Sequence, residues 1–234
     1  HIHGKEAVYN GTLGTSIAKV FDLSVASTGS NEKMLKRQGV PYEVVHVTPN
    51  SHAGYYPGAA QINLKLIFDK ESGRIYGAQA VGKDGVDKRI DVIATAIKGN
   101  MTVLDLPDIE IAYAPPYSSA KDPVNMAGYA ATNIMEGMAE TVQWHEIDEI
   151  VANGGYLLDV RSPGEVAKGA IKGSVNIPID ELRGRLDEIP QDKDLYVTCQ
   201  VGMRGYLAAR ILEGNGISVK NLDGGYHLYS IVHR

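Results

Sequence analysis

The sequence predicts two domains, an α+β unit over residues 1–138 and a second unit over 139–234 of α/β character. Three observations carry this reading. The chain has 234 residues, more than the ~100 to 150 of a common single domain. Ile62, Leu64, Leu66 and Phe68 alternate with Asn63, Lys65 and Ile67, the period of a half-buried strand. In the second half, a strand-like run over 195–198 passes through a short glycine-bearing loop into a helix-like run over 207–212. Hydrophobic residues make up 44% and charged residues 22%, enough for a core in each half.

Taken in order, 18–26 reads as one strand before Gly29. Residues 31–38 read as a short polar-faced helix ended by Gly39 and Pro41, and 42–47 as a second, β-branched strand. The alternating strand over 62–68 is followed by Asp69-Lys70-Glu71-Ser72-Gly73, which supplies turn chemistry, and 74–81 returns as its hairpin partner. Val86, Ile90, Ile93, Ala94 and Ile97 recur at helical spacing with Gly99-Asn100 as the stop, so this stripe is expected in the core. This half carries no dinucleotide fingerprint, no phosphate loop and no Cys/His cluster of metal-ligand spacing.

Cys199 is the one cysteine, heading Cys199-Gln200-Val201-Gly202-Met203-Arg204-Gly205. A lone cysteine can be a small apolar core residue. Here it lies between a strand and a helix, where a tight loop can turn backbone N–H groups toward the sulfur and the helix N-terminus adds positive charge. Those dipoles and Arg204 are expected to favour the nucleophilic thiolate. Four residues separate Cys199 from Arg204, against the five of phosphatase-type loops. The tighter ring suits a smaller guest, such as the outer sulfur of a persulfide.

On these residues the second half resembles the rhodanese family, whose active loop reads Cys-x-x-Gly-x-Arg. The resemblance extends to Leu157-Leu158-Asp159-Val160-Arg161 with Pro163-Gly164-Glu165, to the stretch from Gly169 through Gly173 and Asn176 to Pro178, and to Asp223-Gly224-Gly225 after a strand over 219–222. It implies an α/β domain with a mostly parallel sheet. It also implies catalytic roles for Cys199 and Arg204, a substrate cradle of Gln200, Val201, Gly202, Met203 and Gly205, and a supporting ion pair between Asp159 and Arg161. Ala170 stands where many members carry a histidine.

Tyr55 and Tyr56 lie on a loop rich in glycine and proline, and Tyr113 and Tyr117 on Tyr113-Ala114-Pro115-Pro116-Tyr117. Such tyrosines either close a core or offer hydroxyls for binding and proton delivery. With Lys121-Asp122-Pro123-Val124-Asn125, these motifs resemble the C-terminal dimerisation domain of flavin-dependent pyridine nucleotide-disulfide oxidoreductases. The subgroup is that of the coenzyme A-disulfide reductases and their NADH oxidase and polysulfide reductase relatives, some of which end in a rhodanese domain. The resemblance implies a homodimer in which Tyr55 and Tyr113 reach the partner's flavin-side cysteine. It further implies FAD, NAD(P)H and coenzyme A for a longer enzyme whose nucleotide-binding domains precede this sequence, with none of them bound by this stretch alone. His1 to Lys5 resembles the last turn of the preceding flavin domain, and the linker to the second domain falls over 135–141.

The net charge of −5 gives no driving force toward nucleic acid or an anionic membrane. No apolar run of ~18 residues suggests a bilayer span, and a reactive thiolate persists best in a reducing compartment, so the cytoplasm is expected. His1 and His3 could chelate copper, but a chain-end pair is set aside and no metal is expected. Two functions follow: a reductase with a sulfur-transferring rhodanese domain acting on small thiols or sulfane sulfur, or a dimerising module whose rhodanese unit only recruits a partner.

Overall fold

The computed structural model describes Gly4 and residues 8–233. His1, His3 and Lys5, and the readings placed on them, lie outside the described residues. The first domain opens with strands β1 (Ser16–Val20) and β2 (Leu23–Gly29), then helix α1 (Glu32–Gln38), β3 (Glu43–Val47), β4 (Ile62–Phe68), β5 (Ile75–Gly82), α2 (Val86–Lys98) and α3 (Pro123–Met135). The strands form one antiparallel sheet in the order β1-β2-β5-β4-β3.

The single strand expected over 18–26 is instead a hairpin. Val20 pairs with Leu23 across Phe21-Asp22, and Phe21 takes a left-handed φ of 51°. Asp22 is the only favoured turn residue of the two, and with neither Gly nor Pro beside it the reversal is weakly marked.

Helix α3, also unread in the sequence, starts where Asp122 accepts the Val124 N–H and Asn125 Oδ1 accepts the Asp122 N–H, with Pro123 in the first turn. That is a capping box followed by the one helical position where proline is welcome. Its Ala127 and Ala131 share one buried core with α2 and with Ile62, Leu64, Leu66 and Phe68 of the sheet, while Gly128 lets the helix lie close to Leu106 and Pro107. Ile67 points to the opposite face and meets Leu35 of α1.

The second domain comprises β6 (Thr141–Val142), α4 (Ile147–Ala152), β7 (Tyr156–Asp159), α5 (Pro163–Val166), β8 (Val175–Asn176), α6 (Ile179–Leu182), β9 (Leu195–Thr198), α7 (Met203–Glu213), β10 (Lys220–Leu222) and α8 (Gly225–Val232). Its sheet runs β6-β10-β9-β7-β8 with every pair parallel. A parallel sheet is covered on both faces. Leu157 and Leu158, successive residues of β7, accordingly fall into two different buried clusters.

The two domains meet at Asp223. Its carboxylate accepts the His46 N–H at 2.9 Å, contacts His46 Nδ1 at 2.7 Å and accepts from Gln143 Nε2 at 3.1 Å. A second link runs from His227 Nε2 to Asn63 Oδ1 at 3.1 Å.

Candidate functional site

Cys199 follows the last residue of β9 and precedes α7, so the sheet edge and a helix N-terminus converge on its sulfur. Gly202 caps α7 with φ 103°, and no side chain caps that end. The freed backbone is used locally: the Gly202 N–H donates to Cys199 Sγ at 3.1 Å. One amide is thus directed at the sulfur, and the helix dipole adds to it. Cys199 is 1% exposed and borders the domain core through Val197 and Ala208.

The loop is tied down from beneath. The N–H groups of Tyr226 and His227 each donate at 2.8 Å to the carbonyls of Cys199 and Gln200, and Asn221 Nδ2 donates to that of Gly202 at 3.1 Å. Gly225, at φ 58°, must lack a side chain, since a Cβ there would come within 2.5 Å of the Cys199 carbonyl oxygen. Gly205 is pressed against Asn221 in the same way, its absent Cβ standing 2.1 Å from Oδ1. The Asp223-Gly224-Gly225 turn therefore joins the interdomain contact to the backbone of the cysteine loop.

Asp159 and Arg161 are fully buried. Arg161 Nη2 and Nε donate to Asp159 at 2.6 and 3.0 Å, and Nη2 also donates to the Gly169 carbonyl. The guanidinium reaches Gln200 Oε1 at 3.4 Å and lies 4.0 Å from the Tyr226 ring centre. Asn176 Nδ2 closes this frame by donating to the Asp159 and Arg161 carbonyls, both at 2.8 Å.

Arg204 is less free than the sequence suggested. Its two terminal nitrogens donate to Glu165 at 2.6 and 2.8 Å, a bidentate pair. Glu165 is held in turn by the Ser162 N–H and hydroxyl, each at 3.0 Å. The hydrogen bonds from Arg204 lead in holding the Glu165 carboxyl at about 2, despite some opposing desolvation. The Arg204 charge beside Cys199 is therefore shared with a carboxylate.

The tyrosine loops form a second candidate site. Tyr55 is 78% and Tyr113 49% exposed, and their hydroxyls approach to 3.4 Å. The hydrogen bond with Tyr113 is the first cause raising the Tyr55 phenol above its ordinary pKa. Tyr56 packs edge-on against the buried His52, and Tyr117 stands exposed without joining the pair.

The two loops are clamped by Arg89, buried in α2, which donates to Asp122 and to the Ser51 carbonyl at 2.7 Å. Ser118 adds a 2.6 Å bond to Asp122, and the Ala53 N–H donates to the Ser118 carbonyl. Arg89 was not read from the sequence, although its place between Val86 and Ile93 on the apolar face was the signal. Among the described residues no group of three His, Cys, Asp or Glu side chains could hold a metal. No described helix is long and apolar enough to cross a membrane.

Residues 15–125 match the pyridine nucleotide-disulphide oxidoreductase dimerisation domain, and residues 143–231 match the rhodanese-like domain. The chain joins these two domain families. It is 47% identical to the coenzyme A disulfide reductase of Staphylococcus epidermidis over 123 residues, 53% of this chain and 28% of that protein. The crystal structure of reduced Bacillus anthracis CoADR-RHD is 69% identical with a TM-score of 0.97, over 99% of this chain and 42% of that one. A NAD-dependent persulfide reductase from A. fulgidus is 45% identical with a TM-score of 0.88, over 97% and 41%. The chain thus spans well under half the length of these relatives. The likeness covers both domains in their mutual placement, including the seat of the rhodanese-like domain on the dimerisation domain.

Proposed function

We propose that this chain is the dimerising and sulfur-handling part of a FAD- and NAD(P)H-dependent reductase of coenzyme A disulfides, persulfides or polysulfides, working as a cytoplasmic homodimer. The observation that carries the reading is Cys199 Sγ under the Gly202 N–H at 3.1 Å, at an α7 terminus that no side chain caps. In the rhodanese-like domain the Cys199 thiolate attacks the outer sulfur of a sulfane donor. The donor's S–S bond breaks, and its electron pair leaves with the donor thiolate. The Gly202 N–H and the α7 terminus hold the anion as charge moves, with Arg204, shared with Glu165, beside them. Cys199 then passes its outer sulfur to an acceptor thiol, with coenzyme A or a cysteine of the longer enzyme as candidates.

FAD and NAD(P)H, on domains outside this sequence, would supply hydride for disulfide reduction. Toward that chemistry this chain offers the exposed hydroxyl pair of Tyr55 and Tyr113, held on clamped loops where a second subunit can meet it.

Exposure to polysulfide should add one sulfur to the chain by intact mass spectrometry and none to Cys199→Ser. Labelling that survives the substitution would overturn the proposal.

A second reading, a dimerising module whose rhodanese-like unit recruits a partner, is favoured by the 1% exposure of Cys199. Iodoacetamide separates the two: rapid alkylation of Cys199 supports chemistry, and an inert thiol supports the module.

A further inference from the structure

We infer that Glu165 makes the Cys199 loop selective for sulfur donors of low charge, persulfides of neutral thiols, over the dianion thiosulfate. The inference rests on the sulfur-transfer reading above and adds to it the class of donor.

The argument is one of charge matching. Two arginines border the loop, and each already has its own carboxylate. Arg161 is paired with Asp159 at 2.6 Å with both groups buried, and Arg204 is paired bidentately with Glu165 at 2.6 and 2.8 Å. Ser162 fixes Glu165 through two further bonds at 3.0 Å, so the carboxylate is built into the α5 N-terminus and does not drift at the surface. Its acidity, at about 2, keeps it ionised throughout the neutral range. Once the two pairs cancel, the attraction left for an anion is the backbone field of Gly202 and the α7 terminus, about half a unit charge. The Cys199 thiolate itself repels.

Both donors transfer sulfur by the same bond exchange, which balances without an added oxidant or reductant. With a hydropersulfide, the thiolate forms a bond to the terminal sulfur, the donor S–S bond breaks and the thiolate R–S⁻ departs, leaving the Cys199 hydropersulfide. With thiosulfate the leaving group is sulfite, and two negative charges must come up against the thiolate. A cradle whose arginines are already neutralised opposes the second case more than the first.

The test compares initial rates of Cys199 sulfur loading on the full chain, by intact mass, with thiosulfate and with 2-hydroxyethyl persulfide, whose chain is uncharged. Glu165→Gln keeps a side chain that can close the capping box and frees the Arg204 charge. It should raise the thiosulfate-to-persulfide rate ratio by about tenfold or more. Raising salt from about 0.05 to 0.5 M should then slow thiosulfate loading severalfold in the variant and little in the wild type, because only the variant presents an unmatched charge to screen. Ser162→Ala, which loosens the same corner but keeps the carboxylate, should leave the ratio as in the wild type.

A folded Glu165→Gln protein with an unchanged ratio would overturn the inference, as would strongly salt-sensitive thiosulfate loading in the wild type, a measurement that needs no variant. If the wild type loads from neither donor, the sulfur-transfer reading itself falls.

Discussion

The tyrosine loops and the cysteine loop are built on the same device and put it to opposite use. Each is pinned by a buried arginine–aspartate pair, Arg89–Asp122 at 2.8 Å and Arg161–Asp159 at 2.6 Å, whose spare guanidinium N–H groups hold backbone carbonyls of the surrounding loops. The first pair presents its working groups outward, with Tyr55 78% exposed. The second holds Cys199 at 1%. A hydroxyl pair in open solvent gains its environment from whatever surface covers it. The cysteine already has its amide, helix terminus and neighbouring ion pairs within one domain. Rigidity is common to both sites, and completeness is what separates them.

The largest effect that would break the parallel is on stability. Asp159→Ala and Asp122→Ala each leave a buried guanidinium without its partner, which should cost about 3 to 5 kcal/mol in the domain concerned. Thermal unfolding followed separately in each domain would read it. A loss below ~1 kcal/mol at either site would show that its arginine finds water and that the clamps are not alike.

Next comes Arg204→Lys. Lysine has the charge but not the planar fork that Glu165 grips, and sulfur loading of Cys199 should slow about a hundredfold, as when one transition-state donor is removed. A rate within threefold of the wild type would leave Arg204 a structural role only.

Gly225→Ala places a methyl 2.5 Å from the Cys199 carbonyl oxygen at a positive φ of 58°. It should cost at least about 1 to 3 kcal/mol and slow sulfur loading while leaving the dimerisation domain unfolding unchanged.

The pH dependence of the Glu165 pair is smaller. Its folded pKa of about 2 lies below the ordinary 4.5, so its contribution is present above 4.5 and is lost as pH falls toward 2. The stability gap between wild type and Glu165→Gln, at most about 1 kcal/mol for a pair whose side chains are 33% and 32% exposed, should be flat above pH 5 and close on acidification. A gap that widens in acid would contradict the assignment.

Smallest of all, Tyr113→Phe should change stability by less than about 0.5 kcal/mol. It should also return Tyr55 ionisation toward the ordinary tyrosine value, since the lost hydrogen bond is the first cause of the rise. Phenolate absorbance on alkaline titration would show it.

Much of the scaffold could be read from residue order alone, because its causes are local. Asn31 and Gly39 bound α1 by capping its two ends, and the alternation of 62–68 placed Ile62, Leu64, Leu66 and Phe68 together in the core. The exceptions have physical reasons. The β1–β2 reversal sits on Phe21-Asp22, where sterics disfavour what the sheet register demands. The α3 stripe joins Val124 and Ile134 through the small residues Ala127, Gly128 and Ala131, too weakly apolar to announce themselves, although its capping box was written in Asp122 and Asn125.

By itself the sequence determined the chemistry on offer: one thiol ahead of a glycine-bearing loop, an arginine after it, tyrosines on stiff loops, and elements whose apolar periods must be buried. Tertiary structure decided which charges meet. Glu165 lies 39 positions from Arg204, Arg89 lies 33 from Asp122, and His46 lies 177 from Asp223. A period or a cap arises from neighbours along the chain and leaves its mark there. An ion pair across such distances exists only because packed sheets bring two segments together, and its strength depends on the solvent that packing removes.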